Sequence, residues 1–274
     1  MLNPYQTTKV KIKDIKEESG EVKLFSLIFL DKKFKNSFEP KPGQIIEVGI
    51  PGFGEGPFAI CSCVSETDFF QICVRKVGKL TKKMHEAKIG DIFTVRGPYG
   101  NGVFPEIKRN VLLIAGGIGL VPLRPLIYKY MSSLGDYSHL APLVQLFYGV
   151  RSQSDMIFKT EYKKWQKYID MHITLDKEEK GWGGHVGLIT SLLKDIKLVD
   201  NPIAILCGPP VMYRFVLEEL KRLNFKDDDI YMSLERRIHC GIGLCQHCAI
   251  GSKYICKDGP VFRWKDVRNI KGVI

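Results

Sequence analysis

From Val111 onward, short apolar runs alternate with helix-length segments, and this alternation constrains the fold more than any other feature of the chain. Val111 to Ala115, Leu143 to Val150, Tyr168 to Leu175, Ile203 to Cys207 and Ile230 to Ser233 read as strands. The intervening helices are a segment opening at Pro122, whose ring suits a first helical position, then Ile157 to Lys167, Leu188 to Ile196 and Val211 to Leu223. In the last of these, Phe215, Leu220 and Leu223 are expected to face inward. Strands joined through helices of this length run parallel, so a doubly wound α/β domain is expected.

The first hundred residues follow another rule. Val10-Lys-Ile-Lys alternates, Val22 to Leu30, Ile45 to Ile50 and Phe69 to Val74 are short apolar runs, and Gly and Pro punctuate them. Turn signals at Lys41-Pro42-Gly43, Pro51 to Pro57 and Gly97-Pro98-Tyr99-Gly100 have the spacing of a small antiparallel β-barrel. The pattern changes near Lys108, and from Leu234 the chain becomes Cys- and Gly-rich without a long periodic element. The expected division is a barrel at 1–107, an α/β nucleotide-binding domain at 108–233 and a small C-terminal lobe at 234–274.

The longest uncharged apolar run, Val111 to Leu123, is too short and too Gly-rich for a bilayer, so no membrane span is expected. The start lacks an apolar stretch behind a basic one, which gives an expectation of a cytoplasmic protein. The net charge of +11 comes from lysines scattered in ones and twos among acids, with no basic helix and no aromatic-spaced RNA motif. That distribution reads as a solvated surface, and nucleic acid is not an expected partner.

Eight cysteines in such a chain call for something other than disulfides. Cys61, Cys63, Cys73 and Cys207 are dispersed, but the other four form Cys240-x4-Cys245-x2-Cys248-x7-Cys256. The first three have the spacing of plant-type [2Fe-2S] ligands, and Gly241 and Gly243 let the loop aim its amides at the sulfurs. Structural zinc is the rival, but it more often uses two short knuckles, and this chain has one C-x2-C. His239 and His247 flank the loop and read as solvent or hydrogen-bonding residues.

Ile114-Ala-Gly116-Gly117-Ile118-Gly119 follows a strand and leads into a helix, so its amides can approach a phosphate at the helix N-terminus. The spacing is not G-x-G-x-x-G, and Gly117 or Gly119 would equally serve close helix–sheet packing. Cys207-Gly208-Pro209-Pro210 ends another parallel strand, where α/β sheets place ligands, although a buried Cys there is ordinarily a packing residue. One extended cofactor can touch both loops. Arg151 follows the second strand with no acid before Asp155, and a basic residue there accommodates a 2′-phosphate, which favours NADP over NAD. In the barrel, Arg75, Val77, Gly78, Leu80 and Thr81 form a strand–turn–helix start suited to a pyrophosphate, unless Thr81 is a plain helix cap and Arg75 a surface charge. Phe58, Ala59, Ile60 and Cys61 make a small-residue strand end against which a flat ring can stack.

Taken together, these motifs resemble the ferredoxin-reductase superfamily, and most closely the gamma subunits of cytosolic NAD(P)-linked NiFe hydrogenases, or sulfhydrogenases. Lys23-Leu24-Phe25, Lys41-Pro-Gly-Gln44, Gly52-Phe-Gly-Glu55, Ala115 to Gly119, Cys207 to Pro210, Leu234-Glu-Arg-Arg and Lys253 to Phe262 carry the resemblance over nearly the whole chain, together with Asn3-Pro4-Tyr5. The anaerobic sulfite reductase B subunit and the electron-transfer subunit of dihydroorotate dehydrogenase share the architecture, the latter usually with a longer gap before its fourth Cys. In one respect the chain departs from the superfamily. The flavin motif Arg-x-Tyr-Ser/Thr aligns with Gly56-Pro57-Phe58-Ala59, which lacks the Arg, the Tyr and the hydroxyl, leaving Phe58 to stack and Arg75 as the main flavin-phosphate cation.

The resemblance implies FAD in the barrel, NADP or NAD on the α/β domain with Cys207 as the catalytic residue beside it, and a [2Fe-2S] cluster on the four cysteines. A nicotinamide exchanges a hydride, a cluster one electron, and a flavin converts between them. Such a chain is an NAD(P)H-dependent flavin/iron-sulfur oxidoreductase subunit. With no second cysteine group for terminal chemistry, its partners are the iron-sulfur and terminal catalytic subunits of a hetero-oligomeric redox complex. The rival classes are a zinc-binding scaffold subunit, which is colourless, and a self-contained diaphorase, which needs no partner.

Overall fold

The computed structural model describes residues 5–62, 69–102, 104, 109–133 and 142–274. The chain divides into two compact units, Met1–Phe104 with Leu234–Val261, and Pro105–Ser233 with Phe262–Ile274. The expected 107/108 boundary, Asn3, Pro4 and Cys63 lie outside the described residues.

In the first unit, β1 (Thr8–Ser19), β2 (Val22–Phe29), β3 (Ile45–Ile50), β4 (Gly54–Ala59), β5 (Phe70–Arg75) and β6 (Ile92–Tyr99) form one antiparallel sheet in the order β4-β3-β6-β1-β2-β5. A bridge between Ile60 and Ile72, with the Cys61 amide on the Gln71 carbonyl at 2.9 Å, joins the end of β4 back to β5 and closes a barrel. Along β1, Val10 and Ile12 point in while Lys9 and Lys11 point out, the period of two that the sequence shows. They meet Phe25, Leu27, Ile46, Val48, Ile72 and Phe93 in the core. Helix α1 (Lys32–Ser37) starts at Asp31, whose carboxylate accepts the Lys33 and Phe34 amides. Helix α2 (Lys79–Glu86) seals the core with Met84.

Two segments expected to be turns extend into strands. The turn after β3 is confined to Pro51–Phe53, where Phe53 bonds back to Ile50 at 2.9 Å, and β4 starts at once with Gly54. At the other segment, β6 runs on through Gly97 and Pro98 to Tyr99.

The second unit orders β7 (Val111–Gly116), α3 (Leu120–Ser133), β8 (Val144–Val150), α4 (Tyr162–Trp165), β9 (Asp170–Leu175), β10 (His185–Val186), α5 (Ile189–Asp195), β11 (Ile203–Cys207), α6 (Pro210–Arg222) and β12 (Ile230–Ser233). The strands β10-β9-β8-β7-β11-β12 are all parallel, with Val261–Arg263 at the far edge. The order reverses between β7 and β11, which makes the crevice past their C-terminal ends the topological switch point.

Three local expectations need correction. Helix α3 begins at Leu120 after a 3₁₀ turn over Gly117–Gly119, so Pro122 is its third residue. Only Tyr162–Trp165 of the Ile157–Lys167 segment is α-helical, because Phe158 is left-handed at φ 59 and its ring packs on Trp165. In α6 the inward residues are Met212, Tyr213, Val216 and Leu220, whereas Phe215 and Leu223 are 47% and 42% exposed; a helix started at Pro210 turns them outward. Among the described residues no helix is long and apolar enough to cross a membrane.

Candidate cofactor sites

The cysteine loop belongs to the first unit. Gly241 and Gly243 both lie at φ +80, in the left-handed region that glycine adopts without a steric cost. These turns aim amides at sulfur: Ile242 and Cys245 donate to the Cys240 Sγ at 3.4 Å, and Gly243 donates to the Cys256 Sγ at 3.2 Å. The thiols of Cys248 and Cys256, both buried, are 3.4 Å apart. Burial, then the Cys248 thiol, pushes the Cys256 thiol up to about 12, while backbone amides, that of His247 first, hold Cys245 below the usual thiol range. Buried thiols so close ionise together only with positive charge beside them, and amides aimed at sulfur stabilise thiolates. Four cysteine sulfurs, with amides aimed at those of Cys240 and Cys256, are the donor set of an iron–sulfur cluster, and the residues fit that group. Among the described residues, no three His, Cys, Asp or Glu side chains converge on a single ion position. The rings of His239 and His247 meet edge to face at 4.3 Å.

At the switch point the glycines divide by role. A Cβ on Gly119 would lie 2.1 Å from the Cys207 carbonyl oxygen, and one on Gly116 would lie 2.6 Å from the Met212 sulfur and 2.9 Å from Pro209. These two glycines let the turn after β7 cross the loop after β11. Gly117 differs: it sits at φ +53 with open space where a side chain would project, and Ile118 beside it is partly exposed. The Cys207 thiol is buried at the end of β11, and the Gly208 amide is 3.2 Å from the Tyr213 hydroxyl, which donates to the Ser233 carbonyl. Pro209 precedes the first turn of α6 and is exposed. One strand over, Arg151 follows β8 with its side chain 69% exposed and its Nε 3.6 Å from the Asp155 carboxylate.

The barrel segment is already internally paired. The Thr81 hydroxyl accepts the Val77 and Gly78 amides at 3.0 and 2.8 Å, and Arg75 pairs with Glu21 at 3.2 Å. Gly78, the N-cap of α2, has no side chain with which to cap the first-turn amides. Phe58 and Leu80 pack against the core from its edge, Ala59 is half-buried, and Ile60 and Cys61 are buried.

Sequence reasoning missed a polar centre next to the cysteine loop. Arg96 of β6 is 4% exposed, and Glu47 of β3 pairs with it across the strands. The Arg96 guanidinium goes instead to Glu55, with Nε and Nη2 on the two carboxylate oxygens at 2.9 and 2.6 Å. Glu47 keeps both oxygens buried and, among the described residues, without hydrogen-bond partners; burial raises its pKa to about 8 against the pull of Arg96. The alternation Phe93-Thr-Val95-Arg96 puts Arg96 at an outward, polar position, so the sequence reads it as a solvent-facing charge.

Comparison with known proteins places these geometries. Residues 113–218 match the oxidoreductase NAD-binding domain family, and residues 235–268 match the iron–sulfur cluster binding domain of dihydroorotate dehydrogenase B. The chain is 40% identical to the sulfhydrogenase 2 gamma subunit of Pyrococcus furiosus over 100% of both chains. It is 35% identical to the probable dihydroorotate dehydrogenase B (NAD(+)) electron transfer subunit of Methanocaldococcus jannaschii, over 93% of this chain and 89% of that one. Among solved structures, the NADH-dependent reduced ferredoxin-NADP oxidoreductase of flavin-based electron bifurcation superposes with a TM-score of 0.77 at 25% identity, over 95% of this chain and 92% of that one. Phthalate dioxygenase reductase shares the fold, with a TM-score of 0.63 at 18% identity over 82% and 67% of the two chains. The chain therefore belongs to the ferredoxin-reductase-like family that contains the sulfhydrogenase gamma subunits and the dihydroorotate dehydrogenase B electron transfer subunits.

Proposed function

We propose that this chain is the NAD(P)H-reacting electron-transfer subunit of a hetero-oligomeric redox complex, moving electrons between NAD(P)H, FAD and a [2Fe-2S] cluster, to or from a partner subunit. The cysteine loop carries the reading, because its amides already point at the Cys240 and Cys256 sulfurs. When bound, the flavin supplies the conversion between hydride transfer and single-electron transfer. Cys240, Cys245, Cys248 and Cys256 hold the cluster, and the amides of Ile242, Gly243 and Cys245 stabilise its sulfur charge. Phe58 offers its ring to the flavin, with Ala59, Ile60 and Cys61 as the neighbouring wall. Arg75 turns from Glu21 to the flavin phosphates, and the first turn of α2 after Val77 and Gly78 adds its amides, with Leu80 and Thr81 shaping that turn. Gly116, Gly117, Ile118 and Gly119 with Gly208 and Pro209 receive the nicotinamide cofactor, Cys207 lies beside its reacting end, and Arg151 favours a 2′-phosphate.

The division of labour follows the segments 1–107, 108–233 and 234–274, and the chain works in the cytoplasm. Terminal chemistry belongs to the partner, as expected of a relative of subunits named gamma or electron transfer. The match of residues 235–268 to the dihydroorotate dehydrogenase B cluster domain supports a second reading, in which that enzyme is the partner; co-purification from the native cell distinguishes it from a hydrogenase. The test of the main reading is anaerobic purification with assays for iron, labile sulfide, zinc and flavin. Iron and sulfide with FAD are expected, and Cys245→Ser should lose the iron while keeping the flavin. Zinc in place of iron and sulfide would overturn the cluster assignment.

A further inference from the structure

The end of barrel strand β6 and the two residues after it, Arg96-Gly-Pro-Tyr99-Gly100-Asn101, hold both ends of the cysteine loop. At the first end, Arg96 Nη1 donates to the Cys240 carbonyl at 2.8 Å and to the Tyr99 hydroxyl at 2.9 Å, and Nη2 donates to the His239 carbonyl. With the two bonds to Glu55, all five guanidinium N–H groups have acceptors, the full capacity of an arginine. The Tyr99 ring lies where a Cβ on Gly241 would fall, within 2.7–2.9 Å. At the other end, the Gly100 amide donates to the Cys256 carbonyl at 2.9 Å, and the Asn101 amide donates to the Gly259 carbonyl at 2.7 Å. A Cβ on Gly100 would lie 2.4 Å from the Gly259 oxygen, so the approach is backbone to backbone.

Arg96 and Glu55 thus connect the backbone of the first cysteine to β4, the strand that runs directly into Phe58 and Ala59. We infer that Arg96 is a positioning residue for the iron–sulfur cluster, fixing the carbonyls of His239 and Cys240 to the barrel and setting the cluster's reduction potential through its buried positive charge. The inference rests on the cluster assignment under Proposed function. The guanidinium, which an arginine keeps ionised, donates to the Glu55 carboxylate and the Tyr99 hydroxyl, so its charge is held in the buried site. A lysine at 96 keeps a charge but cannot reach Glu55, Tyr99 and two carbonyls together, whereas a methionine fills the space with no charge and leaves Glu55 uncompensated.

The experiment compares the parent, Arg96→Met and Arg96→Lys in full-length protein reconstituted with iron and sulfide. Iron content, visible circular dichroism and an EPR-monitored redox titration are read for each. Arg96→Met should shift the potential down by at least the equivalent of a tenfold change in the one-electron equilibrium, 59 mV. Arg96→Lys should recover most of that shift yet keep an altered circular dichroism, because charge returns without the fork. A cluster-containing methionine variant with the parent's potential and dichroism would overturn the inference while leaving the cluster assignment intact. If the methionine variant does not accumulate, the lysine variant decides alone: parent-like dichroism overturns the inference. A parent that takes up no iron and sulfide overturns the cluster assignment itself, and with it this role for Arg96.

Discussion

Two of the glycine-led turns that precede helices, one in each unit, resolve differently. At Val77–Thr81, the Thr81 hydroxyl occupies the Val77 and Gly78 amides and Glu21 occupies Arg75. At Gly116–Gly119, no side chain among the described residues does this work: the Met212 and Pro209 side chains crowd Gly116, the Cys207 backbone crowds Gly119, and Gly117 is left with open space. The lesson is that a Gly before a helix identifies a turn, while the neighbours decide whether its amides are spoken for. A threonine three residues into the helix closes the first turn, and the absence of any hydroxyl from Ala115 to Leu120 leaves the second without such a cap.

The sharpest way to break this comparison is at Gly119. Gly119→Ala places a methyl 2.1 Å from a backbone oxygen, and no side chain can move to relieve it. A loss of more than about 3 kcal/mol is expected in urea unfolding, enough to prevent accumulation in a marginal protein. A fully stable Gly119→Ala would mean that the two loops do not cross as described. Gly117→Val separates the other role. The left-handed backbone strains a side chain by about 1–2 kcal/mol, so the protein should fold. Nicotinamide-dependent flavin reduction should still fall at least tenfold, and an unchanged rate would make the turn structural only.

These outcomes bear on what was legible in the sequence. The parallel strands were, because Val111 to Ala115 and Ile203 to Cys207 are uninterrupted apolar runs that few other structures accommodate. The segment around Trp165 was not: Phe158, Tyr162 and Trp165 are all buried, so their spacing carries no one-sided helical stripe, and Phe158 adopts a left-handed conformation that no local signal marks. Arg96 was hidden for another reason. Its acceptors, the carbonyls of His239 and Cys240, lie more than a hundred residues away and are backbone groups without a sequence signature. The Arg75–Glu21 pair is likewise created by β2–β5 pairing, which places Val22 opposite Arg75.

Smaller effects sharpen the comparison. For Arg151→Ala, an NADPH preference in kcat/KM over NADH should shrink by roughly tenfold, as expected for loss of an Arg–phosphate contact of about 1.5–3 kcal/mol. A parent that prefers NADH, or a variant with an unchanged ratio, removes Arg151 from cofactor choice. The smallest change is expected in the barrel turn. Thr81→Val should cost about 1 kcal/mol of stability by releasing the Val77 and Gly78 amides. Glu21→Gln, which frees Arg75 from an exposed pair, should leave stability within about 1 kcal/mol and tighten FAD binding a few-fold in fluorescence titration. Weaker FAD binding in Glu21→Gln would show that Arg75 needs its partner to be oriented.

The central claim, that one chain joins nicotinamide, flavin and cluster, meets its most direct test in an anaerobic titration of the reconstituted protein with NADPH and with NADH, followed by visible absorbance and EPR together. The account predicts that one of the two bleaches the flavin band and generates the EPR signal of a reduced [2Fe-2S] cluster, with Cys245→Ser showing the flavin change alone. Protein that carries FAD, iron and sulfide yet shows neither change with either nucleotide would contradict it.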